Sequence, residues 1–240
     1  MNLLARASWR TLLLHPWQTG LAVLGIALGV TMVVAVDLAN QGAGRAFEQS
    51  ARALTGQTTH QVLSGPSGLS DDWYVRLRRS GRIGTLAPVI EDEVRLPADG
   101  GRSWRVLGID VLAEAGLRPT MAGIGTDADL GAWLAQPGRV ALLGSDLDTL
   151  GLAPGDRLVV EIQGRTQELR VHARLQPQRE LDAEGLRQVL VVDIATAQEL
   201  LGRVGRIDRL DVVLSDPEMS RWLQTQLPGD AQLVAAAGRN

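Results

Sequence analysis

The chain has 240 residues, 45% hydrophobic and 21% charged, with a formal charge of −3 and no cysteine. That balance excludes a disordered chain and a basic nucleic-acid binder, and the missing thiols exclude disulfides, thiolate metal sites and a cysteine nucleophile. All 24 basic residues are arginine, which also excludes a catalytic lysine, a Schiff base and a P-loop.

From Gly20 to Val36 the sequence GLAVLGIALGVTMVVAV carries no charge. At about 1.5 Å per helical residue it spans about 26 Å, the short end of a bilayer crossing. Thr19 and Leu38 lengthen it, Trp9 and Trp17 suit the headgroup region on the near side, and Asp37 marks the exit. Arg6, Arg10 and the amino terminus come first, so the positive-inside rule puts residues 1–18 in the cytoplasm and everything after Asp37 outside. The competing reading is a cleaved secretory signal cut at Val33-Val34-Ala35. That site falls inside the apolar run, which exceeds the roughly 7–15 residues of a signal core. A buried soluble helix is a weaker fit, because the run is apolar on every face. Gly25 and Gly29 form a GxxxG pair, a flat strip on which a second helix packs closely, and are the candidate site residues of the crossing. Residues 1–18 read as an interfacial amphipathic helix, with Leu3, Leu4, Ala7, Thr11 and Leu14 on one side, Arg6 and Arg10 beside them, and Pro16 as its stop. A plain basic flank is the alternative.

Past the crossing, Phe47, Ala51 and Leu54 predict a helical stalk over 39–55. A short strand at His60–Leu63 ends in the turn cluster Ser64-Gly65-Pro66-Ser67-Gly68. Asp71-Asp72 opens a helix that runs to about Arg79. Strands follow over Thr85–Leu96 and Arg102–Ile109. Residues 111–136 carry weak pattern, read as loops and short helices. Then come strand Val140–Leu143, helix Asp146–Leu150, and strands Arg157–Ile162 and Thr166–Leu175 joined at Gln163-Gly164-Arg165. A polar loop is expected over Gln176–Gly185. Strand Gln188–Asp193, helix Ile194–Leu201, strand Arg209–Leu214, helix Pro217–Leu227 and strand Gln232–Val234 close the chain. This order indicates an α+β domain.

The search for chemistry finds little. His15, His60 and His172 are isolated from one another and from carboxylates at ligand spacing. Ser67 and Ser145 lie beside glycine, but Leu69 and Leu147 stand where G-x-S-x-G needs its last glycine, so both read as turn or cap serines. Gly123-Ile124-Gly125-Thr126-Asp127-Ala128 matches a loose dinucleotide pattern without the flanking strand and apolar helix. Glu91-Asp92-Glu93 reads as a solvated strand face. Arg76, Arg78, Arg79 and Arg82 form a basic patch that helix-end placement accounts for, with lipid phosphate as the other reading. No catalytic, cofactor-binding or metal residue is assigned.

Three blocks of sequence go further. The first is the basic helix, Leu24-Gly25-Ile26-Ala27-Leu28-Gly29-Val30, Ala35-Val36-Asp37-Leu38-Ala39 and a polar helix ending near Arg45-Ala46-Phe47. The second is Val140-Ala141-Leu142-Leu143-Gly144 with Leu150-Gly151-Leu152-Ala153-Pro154-Gly155-Asp156-Arg157-Leu158. The third runs from Val191-Val192-Asp193-Ile194 through Gln198-Glu199-Leu200-Leu201-Gly202-Arg203 to Ile207-Asp208-Arg209-Leu210-Asp211-Val212. In that order and spacing they resemble the FtsX/MacB-like permeases of ABC transporters, lipoprotein-releasing permeases among them. The resemblance implies a non-enzymatic permease subunit of the bacterial inner (plasma) membrane, with a periplasmic α+β domain of two lobes over 56–240. The split lobe is about 56–110 with 189–240, and the inserted lobe about 111–188. It implies no cofactor in this chain, since a separate cytoplasmic ATPase binds the ATP. It also implies a second permease copy or paralogue, membrane lipid, a periplasmic partner or lipoprotein substrate, and no nucleic acid. The chain stops at Asn240, where the family's second crossing approaches, so it reads as the N-terminal portion of a longer permease. A single-pass anchored binding or assembly factor is the alternative. An anchored hydrolase is a third reading and needs His60 or His172 within reach of Ser67 or Ser145.

Overall fold

The computed structural model describes residues 17, 20–21, 24–37, 58–65, 67–114, 117, 127–177 and 180–236. They fall in two compact units, Met1–Phe47 and Glu48–Asn240. In the first, residues 24–37 are helical and all exposed, Met32 by 72% and Val33 by 70%. Thr31 returns its hydroxyl to the Ala27 carbonyl at 2.8 Å, so the one hydroxyl of the run needs no outside partner. Among the described residues no helix is long and apolar enough to cross a membrane. The expected crossing over 19–38 includes Thr19, Ala22, Val23 and Leu38, which lie outside the described residues. So do residues 1–16 and 18 of the interfacial segment and the whole of the stalk over 39–55.

The second unit follows the expected order of elements. Strands are β1 (His60–Leu63), β2 (Leu69–Ser70), β3 (Thr85–Leu96), β4 (Arg102–Ile109), β5 (Arg139–Leu143), β6 (Arg157–Ile162), β7 (Arg165–Leu175), β8 (Val189–Asp193), β9 (Arg206–Ile207), β10 (Arg209–Val213) and β11 (Gln232–Ala235). Helices are α1 (Asp71–Arg79), α2 (Val111–Glu114), α3 (Asp127–Ala135), α4 (Gly144–Leu150), α5 (Glu180–Gly185), α6 (Ile194–Leu201) and α7 (Pro217–Gln226). Local signals set many boundaries. Asp193 caps α6 by accepting from the Ala195 amide at 3.0 Å, and Asp216 caps α7 through Glu218 at 2.7 Å. The β6–β7 turn places Gln163 at φ 47° and Gly164 at φ 75°, the left-handed pair of a tight two-residue hairpin. One expectation is corrected: the polar loop 176–185 contains helix α5. Its sequence has little helical pattern, and what holds it is the packing of half-buried Ala183 and of the following, buried Leu186 against the smaller core.

Nine strands form one sheet in the order β11-β1-β10-β3-β4-β8-β5-β7-β6. Strand β6 also meets β3 through Arg95 and Glu161, so β3, β4, β8, β5, β7 and β6 close into a six-stranded ring. Strands β10, β1 and β11 extend outward from the first half of β3, where Thr85–Val89 pair with Val213–Arg209. Period-two alternation sorts the ring into two cores. Val106, Val140, Leu142, Leu190 and Val192 join the larger core together with Leu158, Val160, Leu169 and Val171. Their strand neighbours Leu107, Ala141, Leu143, Val189 and Val191 face the other way, onto Trp133 of α3 and Leu186. Burial on both faces is why β5 and β8 read as unbroken apolar runs.

The ring is an internal repeat. Hairpin β3–β4, α3, β5 and α4 are matched by hairpin β6–β7, α5, β8 and α6. Each repeat sends its last strand to the other's hairpin: β5 pairs parallel with β7, and β8 parallel with β4. Between them β5 and β8 run antiparallel about Ala141↔Val191. The joints are reciprocal. The Gln188 amide, ahead of β8, donates to Asp146 of α4 at 2.8 Å, and the Gly138 amide, ahead of β5, donates to Thr196 of α6 at 3.1 Å. Both amide donors belong to residues with positive φ, 55° and 78°.

Candidate functional site

The third block forms a joint of many hydrogen bonds and ion pairs. Where β10 leaves β3, Asp208 takes the place of a strand partner: its amide donates to the Val89 carbonyl at 3.0 Å and its carboxylate accepts from the Glu91 amide at 2.9 Å. Arg203, just past α6, donates to both Asp208 oxygens at 3.1 Å and pairs with Asp92. Arg209, nearly buried, sits 2.7 Å from Glu91 and 3.1 Å from Asp211, to which Gln61 also donates at 2.9 Å. Burial opposes the Arg209 charge, yet the Glu91 hydrogen bond and the Asp211 charge hold its pKa above the ordinary value. Gln198 ties α6 to α1 through Asp71 at 2.8 Å and to the Arg206 carbonyl at 3.0 Å. The expectation of a merely solvated face at Glu91-Asp92-Glu93 is therefore corrected. Arginines from the third block engage Glu91 and Asp92, while Glu93 accepts from Ser103 at 2.8 Å. Among the described residues no acidic or histidine cluster is arranged to hold a metal.

The second block is a joint as well. Gly151, at φ 65°, ends α4. Asp156 closes the next turn by accepting from the Ala153 amide at 2.8 Å, and Gly155 and Asp156 lock that turn to Val171 of β7. In the first block, a Cβ built on Gly25 or Gly29 meets nothing within 4 Å among the described residues.

The residues that tempt a hydrolase reading stay apart. Ser67 reaches Asp230 at 3.5 Å, beside Ser64 at 3.4 Å, and Ser145 lies in the first turn of α4. His60 meets Thr59 at 3.0 Å, and His172 accepts from Arg139 at 3.1 Å. No hydrogen bond joins either serine to either histidine among the described residues. His15 and the glycine pattern 123–126 lie outside the described residues. Of the basic patch, Arg78 meets the Tyr74 hydroxyl and Asp110, and Arg82 lies 5.0 Å over the Trp222 ring.

One polar cluster escaped the sequence. Strand β7 carries a bulge against β5, with Val140 facing Val171 and Ala141 facing Ala173, so His172 is the extra residue. Its ring lies 5.3 Å from that of buried Trp133. A bulge leaves no mark in alternation, and Trp133 stands in the weakly patterned stretch before β5.

The chain belongs to the MacB-like periplasmic core domain family, whose model matches residues 19–227. It is thus a core domain of the ABC transporter permease type, in agreement with the three blocks. It is similar to the uncharacterized ABC transporter permease protein Rv0987 of Mycobacterium tuberculosis, with 37% identity over 228 residues. That alignment covers 95% of this chain and 26% of the relative, so the chain spans about a quarter of the relative's length. In fold it is similar to the periplasmic region of MacB from Actinobacillus actinomycetemcomitans, with a TM-score of 0.50 at 17% identity, covering 76% of this chain and 90% of that one.

Proposed function

We propose that the chain is the membrane-anchored N-terminal portion of an FtsX/MacB-type permease subunit of the bacterial inner (plasma) membrane. Residues 19–38 cross the bilayer with the N-terminus cytoplasmic, and 56–240 form the periplasmic domain. The observation that carries this reading is the family match, which starts at residue 19, at the head of the apolar run, and continues to residue 227 of the domain. The exposed side chains over 24–37 support it, since an apolar helix without cover in water requires lipid or another helix. Gly25 and Gly29 offer the contact for a second crossing, from a permease copy, a paralogue or later in the same subunit.

In this role the domain is a moving part and performs no bond chemistry. A separate cytoplasmic ATPase binds and hydrolyses ATP, and its motion reaches the domain through the crossing and the stalk over 39–55. The domain in turn promotes transport or release of a substrate, a lipoprotein or another periplasmic partner. The split lobe, about 56–110 with 189–240, and the inserted lobe, about 111–188, meet along β5–β8 and again where β3 meets β6, and motion passes between them at these two seams.

The absence of cysteine makes the topology directly measurable. Ser8→Cys and Thr166→Cys are labelled in spheroplasts with a membrane-impermeant maleimide. The reading expects Thr166→Cys to label in intact spheroplasts and Ser8→Cys only after lysis; the reverse pattern would overturn it. Gly25→Leu with Gly29→Leu is expected to abolish crosslinking between crossings while leaving insertion unchanged.

A further inference from the structure

One face of the domain is built to meet an anion that the chain does not supply. Helix α1 buries Trp73 and Leu77 and turns Val75, Arg76 and Arg79 outward. Arg82, just past the helix, is exposed as well and is held over Trp222 of α7. Among the described residues no ion pair engages Arg76, Arg79 or Arg82, whereas Arg78 beside them is paired with Asp110 at 3.4 Å. In a chain of net charge −3 this is a local reversal of sign. The helix dipole favours arginines in the last turn of α1 but has no bearing on Arg82, which lies beyond it.

A second feature adjoins the arginines. A cavity of about 230 Å³ is lined by Arg78, Ile83, Thr85, Leu86, Leu112 and Ala113; its exposed lining is more polar than apolar, and Leu112 is 58% exposed. That volume falls below the roughly 300–1,000 Å³ of small-molecule pockets and is on the scale of one side chain. Guanidinium groups recognise carboxylates through paired, planar hydrogen bonds.

We propose that this face docks an acidic polypeptide segment, its carboxylates on Arg76, Arg79 and Arg82 and one apolar side chain in the cavity under Leu112. The surface is independent of how the chain is anchored.

The test uses the full chain in an uncharged detergent, with fluorescence anisotropy of dye-labelled peptides. The probe is a peptide of repeated Glu-Glu-Leu; the comparisons replace Glu by Lys, or Leu by Ser. The acidic apolar probe is expected to bind about tenfold more tightly than the basic one and to weaken steeply with salt. Arg76→Glu with Arg79→Glu is expected to reduce its affinity about tenfold, while the distant Arg165→Glu leaves it unchanged. Leu112→Ser is expected to weaken the Leu peptide about threefold and to leave the Ser peptide unaffected. Equal binding of the acidic and basic peptides overturns the proposal, as does binding indifferent to the double reversal in a variant whose thermal melt is unchanged. Displacement of the acidic peptide by a short-chain phosphatidylglycerol below its micelle concentration would instead assign the face to lipid headgroups.

Discussion

Gly108 and Ala197 meet where α6 lies on β4, and among the described glycines none has less room for a side chain. A Cβ added to Gly108 would stand 2.3 Å from the Ala197 Cβ, with Ile90 behind it at 3.5 Å. Gly108→Ala is expected to lower stability by about 1–3 kcal/mol, and adding Ala197→Gly to recover most of that loss. Urea denaturation of the two singles and the double decides; simple additivity would mean that this contact is not the cause. Two half-buried carboxylates, Asp146 and Asp193, set a pH dependence. Desolvation raises the pKa of Asp146 and of Asp193 against the backbone hydrogen bonds that lower them. Each acid therefore holds its proton more tightly folded than unfolded. The stability this contributes is full below the ordinary carboxylate value and is lost as pH rises through the raised one. Asp146→Asn with Asp193→Asn keeps acceptors for Gln188 and Ala195 and removes both charges. The variant is expected to gain on the parent in urea midpoint at about pH 7 and to match it at about pH 3. A gain that persists unchanged at the acid end would exclude desolvation as its origin.

Turns and caps decide the elements. Gln163 occupies a left-handed position that suits asparagine better, so Gln163→Asn is expected to stabilise by about 0.5–1 kcal/mol. Gly202 ends α6 at φ 65°, and Gly202→Ala is expected to cost about 1 kcal/mol. Thermal unfolding reads both, and two unchanged melting temperatures would contradict these backbone assignments. Signals of this kind made most elements legible: Asp71-Asp72 opening α1, Asp216-Pro217 opening α7, Gln163-Gly164 between β6 and β7. The runs VALL and VLVV announced strands buried on both faces. Helix α5 was not legible, because ELDAEG has no apolar stripe and depends on the sheet beneath it. Two-residue strands β2 and β9 were equally hidden, since Leu69 and Ile207 pair only after the chain between them has folded.

At the scale of the molecule, the family was legible and the ring was not. The three blocks preserve the joints: Gly151 and Asp156 in one, Asp193, Gln198, Arg203 and Asp208 in another. A joint needs particular side chains, so it leaves a readable trace. The repeat needs only apolar alternation, and Asp146 and Thr196 do equivalent work with different chemistry. The placement of β5 beside β7 and β8 beside β4 is a long-range choice that no window of sequence contains. The arginine face was visible as a charge cluster, but its cavity arises only when Leu112 comes beside Ile83 and Leu86.

Strand β1 faces β11 with His60 opposite Ala235, and the Ala236 amide donates to the Thr59 carbonyl at 3.0 Å. The segments before Thr59 and after Ala236 thus pull on neighbouring antiparallel strands from one end. Tension between them loads the ladder as a zipper, one rung at a time, and does not shear all rungs together. Optical tweezers gripping the chain just outside residues 58 and 236 should therefore record β11 peeling away early and reversibly, well below the force that opens the ring. A single rupture taking both at once would show that the strip is welded to the ring. The outermost strand is then a mechanical fuse: it yields under small tugs and leaves the charge-locked joints behind it intact.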